Sequence, residues 1–122
     1  MNIEQLRNYC LKKKGVTEDF PFDETTLVFK VLGKLFALTS LSGWEQNTPS
    51  INLKCDPEYA QELRAEYSSI QPGFHMNKKH WNTVQIHGGE LHPKLIFELI
   101  DHSYNMVVRG MTKTLRDGLK KL

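Results

Sequence analysis

Two stretches of this 122-residue chain concentrate side chains able to hold an anion or a flat ring. The first is His75-Met76-Asn77-Lys78-Lys79-His80-Trp81, where cations, an amide and a large aromatic crowd into seven residues. Lysines beside an aromatic combine phosphate contacts with base stacking, as nucleic-acid surfaces do. The same stretch also has the pieces of a pocket rim, with His75, His80 and Trp81 as candidate ligand-binding residues. The second stretch places Lys113, Arg116 and Lys120 at i, i+3 and i+7, with Leu115, Leu119 and Leu122 on another side. This is a short amphipathic helix with a basic stripe. Between Arg109 and Leu122 there are five basic residues and one acid. A solvated face is the default reading of such a stripe, and a phosphate-backbone footprint the sharper one.

Other chemistry lacks its parts. The chain has no GxGxxG or GxxxxGK[ST] to cradle phosphates, no HExxH and no GxSxG elbow. His75 and His80 are five apart, as are His87 and His92, a spacing that leaves one helical face. No further ligand stands near either pair, so loop histidines are expected and no metal site. Asp19 and Asp23 bracket Phe20-Pro21-Phe22 as possible paired acids, but no nucleophile or electrophile accompanies them. Turn and strand-edge roles are expected there. Cys10 and Cys55 have no CxxC partner and read as free thiols. With no complete catalytic set, neither an enzyme nor a cofactor is expected.

The charge balance limits any claim on nucleic acid. Sixteen Lys and Arg oppose fourteen Asp and Glu, a formal charge of +2. Residues 1–61 carry seven basic and eight acidic side chains, and residues 62–122 nine and six, so the excess lies late. An apolar fraction of 39% and a charged fraction of 25% are those of a soluble globular protein. The length suits one domain, 1–122, with one core. No apolar run approaches the roughly 20 residues that cross a bilayer, and MNIEQLRNYC lacks a signal-peptide layout. A cytoplasmic protein without a membrane partner is expected.

The elements that must position these residues follow from periodicity. Ile3, Leu6, Cys10 and Leu11 mark an amphipathic helix from Asn2 to Lys14, with Lys12, Lys13 and Lys14 in its last turn before Gly15. From Asp19 to Cys55 the period falls to two. Leu27–Leu32 and Leu35–Leu41 flank Gly33-Lys34, which reads as a type II′ hairpin pairing Leu32 with Leu35 and Phe29 with Leu38. That register gives a core face of Leu27, Phe29, Val31, Phe36 and Leu38, and an outer face that includes Lys30. Gly43 to Ser50 reads as a polar loop and Ser50–Lys54 as a strand. Asp56-Pro57 starts a helix that ends near Tyr67. Residues 68–80 read as a long turn-rich loop, Trp81–His87 as a strand, and Pro93 to Arg109 as the clearest helix. The order α-β-β-β(-β)-α-β-α indicates the α+β class, an antiparallel sheet packed against helices.

Four segments, PFDETTLVFKVLGKLFAL, LKCDPEYAQEL, PGFHMNKKHWNTV and LIDHSYNMVVRGMTKTLR, resemble in order and spacing the MmcQ/YjbR-like family of small bacterial proteins. The most specific parts are PGxHxxKxHW at Pro72 to Trp81 and SY..V at Ser103 to Val107. The chain departs at Met111-Thr112-Lys113, where the family usually has a Leu-Pro-Lys-like sequence. The resemblance implies a frataxin-like (CyaY-like) fold. The family is commonly labelled DNA-binding because that fold looks like a "double wing" domain whose sheet surface meets DNA. On that analogy the wing surface includes Lys30, Lys34 at the hairpin tip, and Lys78-Lys79-His80.

Two functions are therefore expected to compete. One is duplex-DNA binding through Lys30, Lys34, Lys78, Lys79 and His80, with Lys113 and Arg116 at the margin. A charge of +2 leaves few spare cations beside the roughly 6–10 contacts of large phosphate footprints, so binding would be weak and salt-sensitive. The other is a non-catalytic ligand- or protein-binding module with a pocket near His75–Trp81. A concave sheet face favours the second, a flat basic one the first.

Overall fold

Apolar residues recur every three or four positions from Pro93 to Arg109 and on alternate positions in 50–54, where Ile51 and Leu53 are buried between half-exposed neighbours, and the structure obeys both periods there. The computed structural model describes all residues 1–122. Its elements are α1 (Ile3–Leu11), β1 (Val16–Asp19), β2 (Thr26–Val31), β3 (Lys34–Ser40), α2 (Leu41–Glu45), β4 (Ser50–Lys54), α3 (Pro57–Glu66), β5 (Ile70–Pro72), β6 (Trp81–Gln85), α4 (Pro93–Arg109) and α5 (Lys113–Lys120). The class is α+β. All six strands form one antiparallel sheet in the order β1-β2-β3-β4-β6-β5.

Helix α4 presents Ile96, Leu99, Ile100 and Val107 to β2, β3 and β4, while α1 meets β1 and α3 meets β5. Phe29, Phe36, Ile51, Leu53, Leu6 and Ile100 are fully or almost fully buried between these layers. Burying each such side chain favours folding by about 1.5–3 kcal/mol. The caps follow their residue types. The Asp56 carboxylate accepts the Tyr59 N–H at 3.1 Å with Pro57 opening α3, and His92 Nδ1 accepts the Lys94 N–H at 3.0 Å before Pro93. In α5 a Cβ on Gly118 would meet nothing within 4 Å. Gly118→Ala is therefore expected to raise stability by about 0.5–1 kcal/mol. A urea midpoint that stays put or falls contradicts this.

Several expectations need correction. The hairpin turns on Leu32-Gly33, not Gly33-Lys34: both residues have positive φ, 47° and 81°, and Val31 pairs with Lys34. A leucine in that conformation is strained, but Leu32 packs against the core and lies beside Gly15. A register shift at Phe29/Lys30 leaves Phe36 as the extra residue of a bulge, so Phe29 pairs with Ala37 and Val28 with Leu38. Ala37 thus joins Leu27, Phe29, Val31 and Phe36 in the core, and Leu38 moves to the opposite, open face.

Helix α1 stops at Leu11, so the three lysines lie beyond it and not in its last turn. Lys13 Nζ instead reaches Asp101 of α4 at 2.5 Å, over the rings of Tyr9 and Tyr104. The supposed polar loop after β3 contains α2, capped by Ser40. Strands β1 and β5 lay outside the expected set. Each is an edge strand of three or four residues with only one neighbour, too short and too polar to show a period.

At the bulge, strands β3 and β4 part. The buried Ser103 hydroxyl of α4 fills the gap, donating to the Phe36 carbonyl at 2.5 Å and accepting the Lys54 N–H at 2.8 Å. One helix residue thereby satisfies a group on each of two strands.

Candidate functional site

Strand alternation puts Val28, Leu38, Asn52, Thr83 and Gln71 in one row across five strands, on the face away from α4. Polar residues replace apolar ones along this row, which makes the floor chemically mixed. Thr83 organises it. Its Oγ1 accepts the Phe74 N–H at 2.9 Å and donates to Asn52 Oδ1 at 2.5 Å. The first bond hangs the loop after β5 over the sheet.

That loop is held at several further points. Gly73 donates its N–H to the Trp81 carbonyl at 2.8 Å, and Lys78 Nζ donates to the Gly73 carbonyl at 2.9 Å. Asn77 Oδ1 accepts the N–H groups of Lys79 and His80. From α3, the Arg64 guanidinium donates to the Lys78 and Trp81 carbonyls and to the buried Asn82 Oδ1. His75 takes a left-handed conformation with φ of 58°, and its ring lies 4.0 Å from that of Phe74.

A second loop, before β2, rises on the other side. The Asp23 carboxylate accepts the N–H groups of Thr25 and Thr26 and both their hydroxyls, a compact turn that carries Phe22. These donors, Thr25 N–H foremost, hold the carboxyl below its usual range and keep it charged. Phe22 and Phe74 are 68% and 66% exposed, high for rings of this size. Between the loops and the strands lies a cavity of about 520 Å³, with Leu38, Asn52 and Thr83 on its floor and Phe22, Phe74 and His75 around it. The Asn52 amide nitrogen, the Ser50 hydroxyl and the His75 ring have no hydrogen-bond partner in the chain.

The residues singled out from the sequence scatter around this cavity. His75 lines it; His80 and Trp81 do not. Lys30 lies 3.9 Å from the Asp19 carboxylate, and Lys78 spends its ammonium on Gly73. Lys34 borders a separate hollow with Gly110 and Met111. Lys79, Lys113 and Arg116 are exposed. Asp19 and Asp23 do hold turns, as their types suggested, with Asp19 accepting the Phe20 N–H. Sequence reasoning passed over Phe22, Asn52, Phe74 and Thr83. A usable signal existed for two of them: a phenylalanine inside a polar turn, PFDET or PGFH, has no core to enter.

Two other places merit comparison. Cys55, Asn82 and His102 line one small interior cavity, a thiol–imidazole–amide set. Burial pushes the Cys55 thiol up to about 12, and His102 Nε2 already accepts the Asp56 N–H at 3.1 Å, so this imidazole has no free base nitrogen toward the thiol through Nε2. A hollow of about 460 Å³ near Met1, Trp44, His87 and Leu91 is also large. Its Trp44 indole N–H is committed to Thr39 Oγ1 at 2.9 Å, which leaves fewer directional groups than the sheet-face cavity.

Known proteins share this architecture. The YjbR family model matches residues 11–106. The uncharacterised protein YjbR of Escherichia coli K12 is 34% identical over 122 residues, all of both chains. YbdF of Escherichia coli O157:H7, also uncharacterised, is 45% identical over 90% of this chain and 87% of its own. Among solved structures, Deinococcus radiodurans DR2400, a DUF419 domain, is 42% identical with a TM-score of 0.88, over 98% of this chain and 88% of its own. A Pseudomonas syringae protein is 30% identical with a TM-score of 0.71, over 87% and 98%. The matches span most of the chain, and the chain belongs to the YjbR family.

Proposed function

We propose that this chain is a non-catalytic module that binds a small molecule in the cavity on its open sheet face. The observation that carries this reading is the concave space between Phe22 and Phe74, floored by Asn52 and Thr83. Its volume of about 520 Å³ falls within the roughly 300–1,000 Å³ of ligand sites, and it joins apolar walls to a few unspent polar groups. Rigid strands supply the floor, and hydrogen-bonded turns supply the rim, so little ordering is left for binding to impose.

The duplex-DNA reading rests on the exposed Lys34 and Lys79, with Lys30 and His80 near the same end of the sheet, and on the double-wing analogy. Two of its cations have neighbours in the chain, Lys78 the Gly73 carbonyl and Lys30, at 3.9 Å, the Asp19 carboxylate. One experiment separates the readings: amide-resolved NMR titration of the full chain with a library of aromatic and aliphatic fragments, and with a 16-base-pair duplex at 50 and 200 mM salt. Fragments at millimolar concentration are expected to shift Phe74, His75 and Thr83, and the duplex at 50 µM to shift nothing. Salt-sensitive shifts at Lys34, Lys78 and Lys79 with the duplex, and none in the cavity with fragments, would reverse the assignment.

A further inference from the structure

The cavity's hydrogen-bonding and charge pattern narrows what it can hold. Thr83 Oγ1 accepts from the Phe74 N–H, so its own proton is free to go to Asn52 Oδ1. That bond fixes which way the amide faces. Its oxygen is used, and its NH₂ group is left as a pair of donors on the cavity floor. A ligand seated there must bring an acceptor edge, because a second donor would leave both groups unpaired.

Charge sets the second limit. No lysine or arginine lines the cavity, its one carboxylate is Asp23, and His75 at the rim is its one basic side chain. Four hydrogen bonds from Thr25 and Thr26 hold that carboxylate in place. An anionic ligand would enter beside a fixed negative charge with no lysine or arginine to pair it. The rim sets the third. Phe22 and Phe74 stand mostly exposed on separate loops, and the faces of such rings gain most from another flat ring.

We propose that the cavity takes a planar aromatic molecule without negative charge, stacked on Phe22 and Phe74, with an acceptor on its edge turned to the Asn52 amide. This rests on the small-ligand reading above. The class includes neutral lactam-bearing bicycles and aromatic cations that keep an edge acceptor, and leaves out aromatic carboxylates and phosphates.

The test uses three bicyclic probes against the full chain: neutral 2-quinolone, cationic N-methylquinolinium, which has no acceptor and reports stacking alone, and anionic quinoline-2-carboxylate. Binding is followed through the backbone amides of Phe74, His75 and Thr83 and the side-chain amide of Asn52. 2-Quinolone is expected to move all four and to bind at least tenfold more tightly than the carboxylate. Phe22→Ala and Phe74→Ala, which alter exposed rings, are each expected to weaken 2-quinolone about tenfold while the amide spectrum stays folded. Asn52→Asp exchanges the donors for a carboxylate, and is expected to weaken 2-quinolone about fivefold while sparing N-methylquinolinium. Quinoline-2-carboxylate binding as tightly as 2-quinolone at these resonances overturns the charge argument and leaves the site standing. Aliphatic fragments that move the cavity when no quinoline does overturn the aromatic class alone. If neither kind of fragment moves it, this proposal falls together with the small-ligand reading.

Discussion

Ser103→Ala lowers the stability of this chain by about 2–4 kcal/mol, a shift on the order of 10 °C in Tm. The substitution removes one oxygen but strands two groups. The Phe36 carbonyl loses its donor and the Lys54 N–H its acceptor, and both face the fully buried site that Ser103 occupies. Each unpaired buried group costs roughly 1–3 kcal/mol, against a gain of a few tenths from alanine's better helix propensity. Tyr104→Phe, which removes a single bond from the hydroxyl to the Lys14 carbonyl at an exposed position, should cost about 1 kcal/mol. Urea denaturation of both variants checks the pair. A loss below 1 kcal/mol for Ser103→Ala would show that β3 and β4 close their own ladder without the helix.

Ser103 also shows what kind of information the sequence carries. The SY..V pattern is legible as a signature, but its function in the structure is to bridge a bulge that no local rule foretells. The turn beside that bulge depends on a leucine adopting positive φ, a conformation sequence rules assign to glycine or asparagine. Tertiary packing of Leu32 near Gly15 outweighs the local preference, and the register of β3 shifts with it. Helices α3 and α4 were readable because each combines a cap, a proline and a buried stripe in one segment. Strands β1 and β5 were not, since three or four residues at an edge carry no such redundancy.

The candidate site was half legible for a related reason. The loop 75–81 stood out by composition, and His75 does reach the cavity. Of the loop's two lysines, Lys79 stands exposed and Lys78 is spent on the loop itself. Lys78 braces Gly73, and Arg64, an unremarkable cation on a helix face by its spacing, ties the backbone of Lys78 and Trp81 to α3. The residues that line the cavity come from five separate segments, and their meeting depends on β6 lying between β4 and β5. A crossover of that kind is a property of the assembled sheet, not of any one segment.

Gly73→Ala tests that assembly directly, with an expected loss of about 1–3 kcal/mol and at least a tenfold weakening of 2-quinolone. An added Cβ would stand 2.8 Å from Trp81 Cβ, 3.0 Å from the Trp81 carbonyl and 3.0 Å from Met76 Cβ. The backbone carbonyl cannot rotate aside like a side-chain tip, and the Gly73 N–H is bonded to that same oxygen at 2.8 Å. Relief therefore has to come from parting the end of β5 from β6. Parting them draws the Phe74 N–H off Thr83 Oγ1, and with it goes the restraint on the Asn52 amide. Because these steps share one bond network, stability and affinity should fall together in this variant, whereas Phe74→Ala should lower affinity alone. Urea midpoints and 2-quinolone titrations of both variants decide it. A Gly73→Ala chain that keeps its midpoint within 0.5 kcal/mol and its affinity intact would mean that the loop reaches its place over the sheet by contacts other than these.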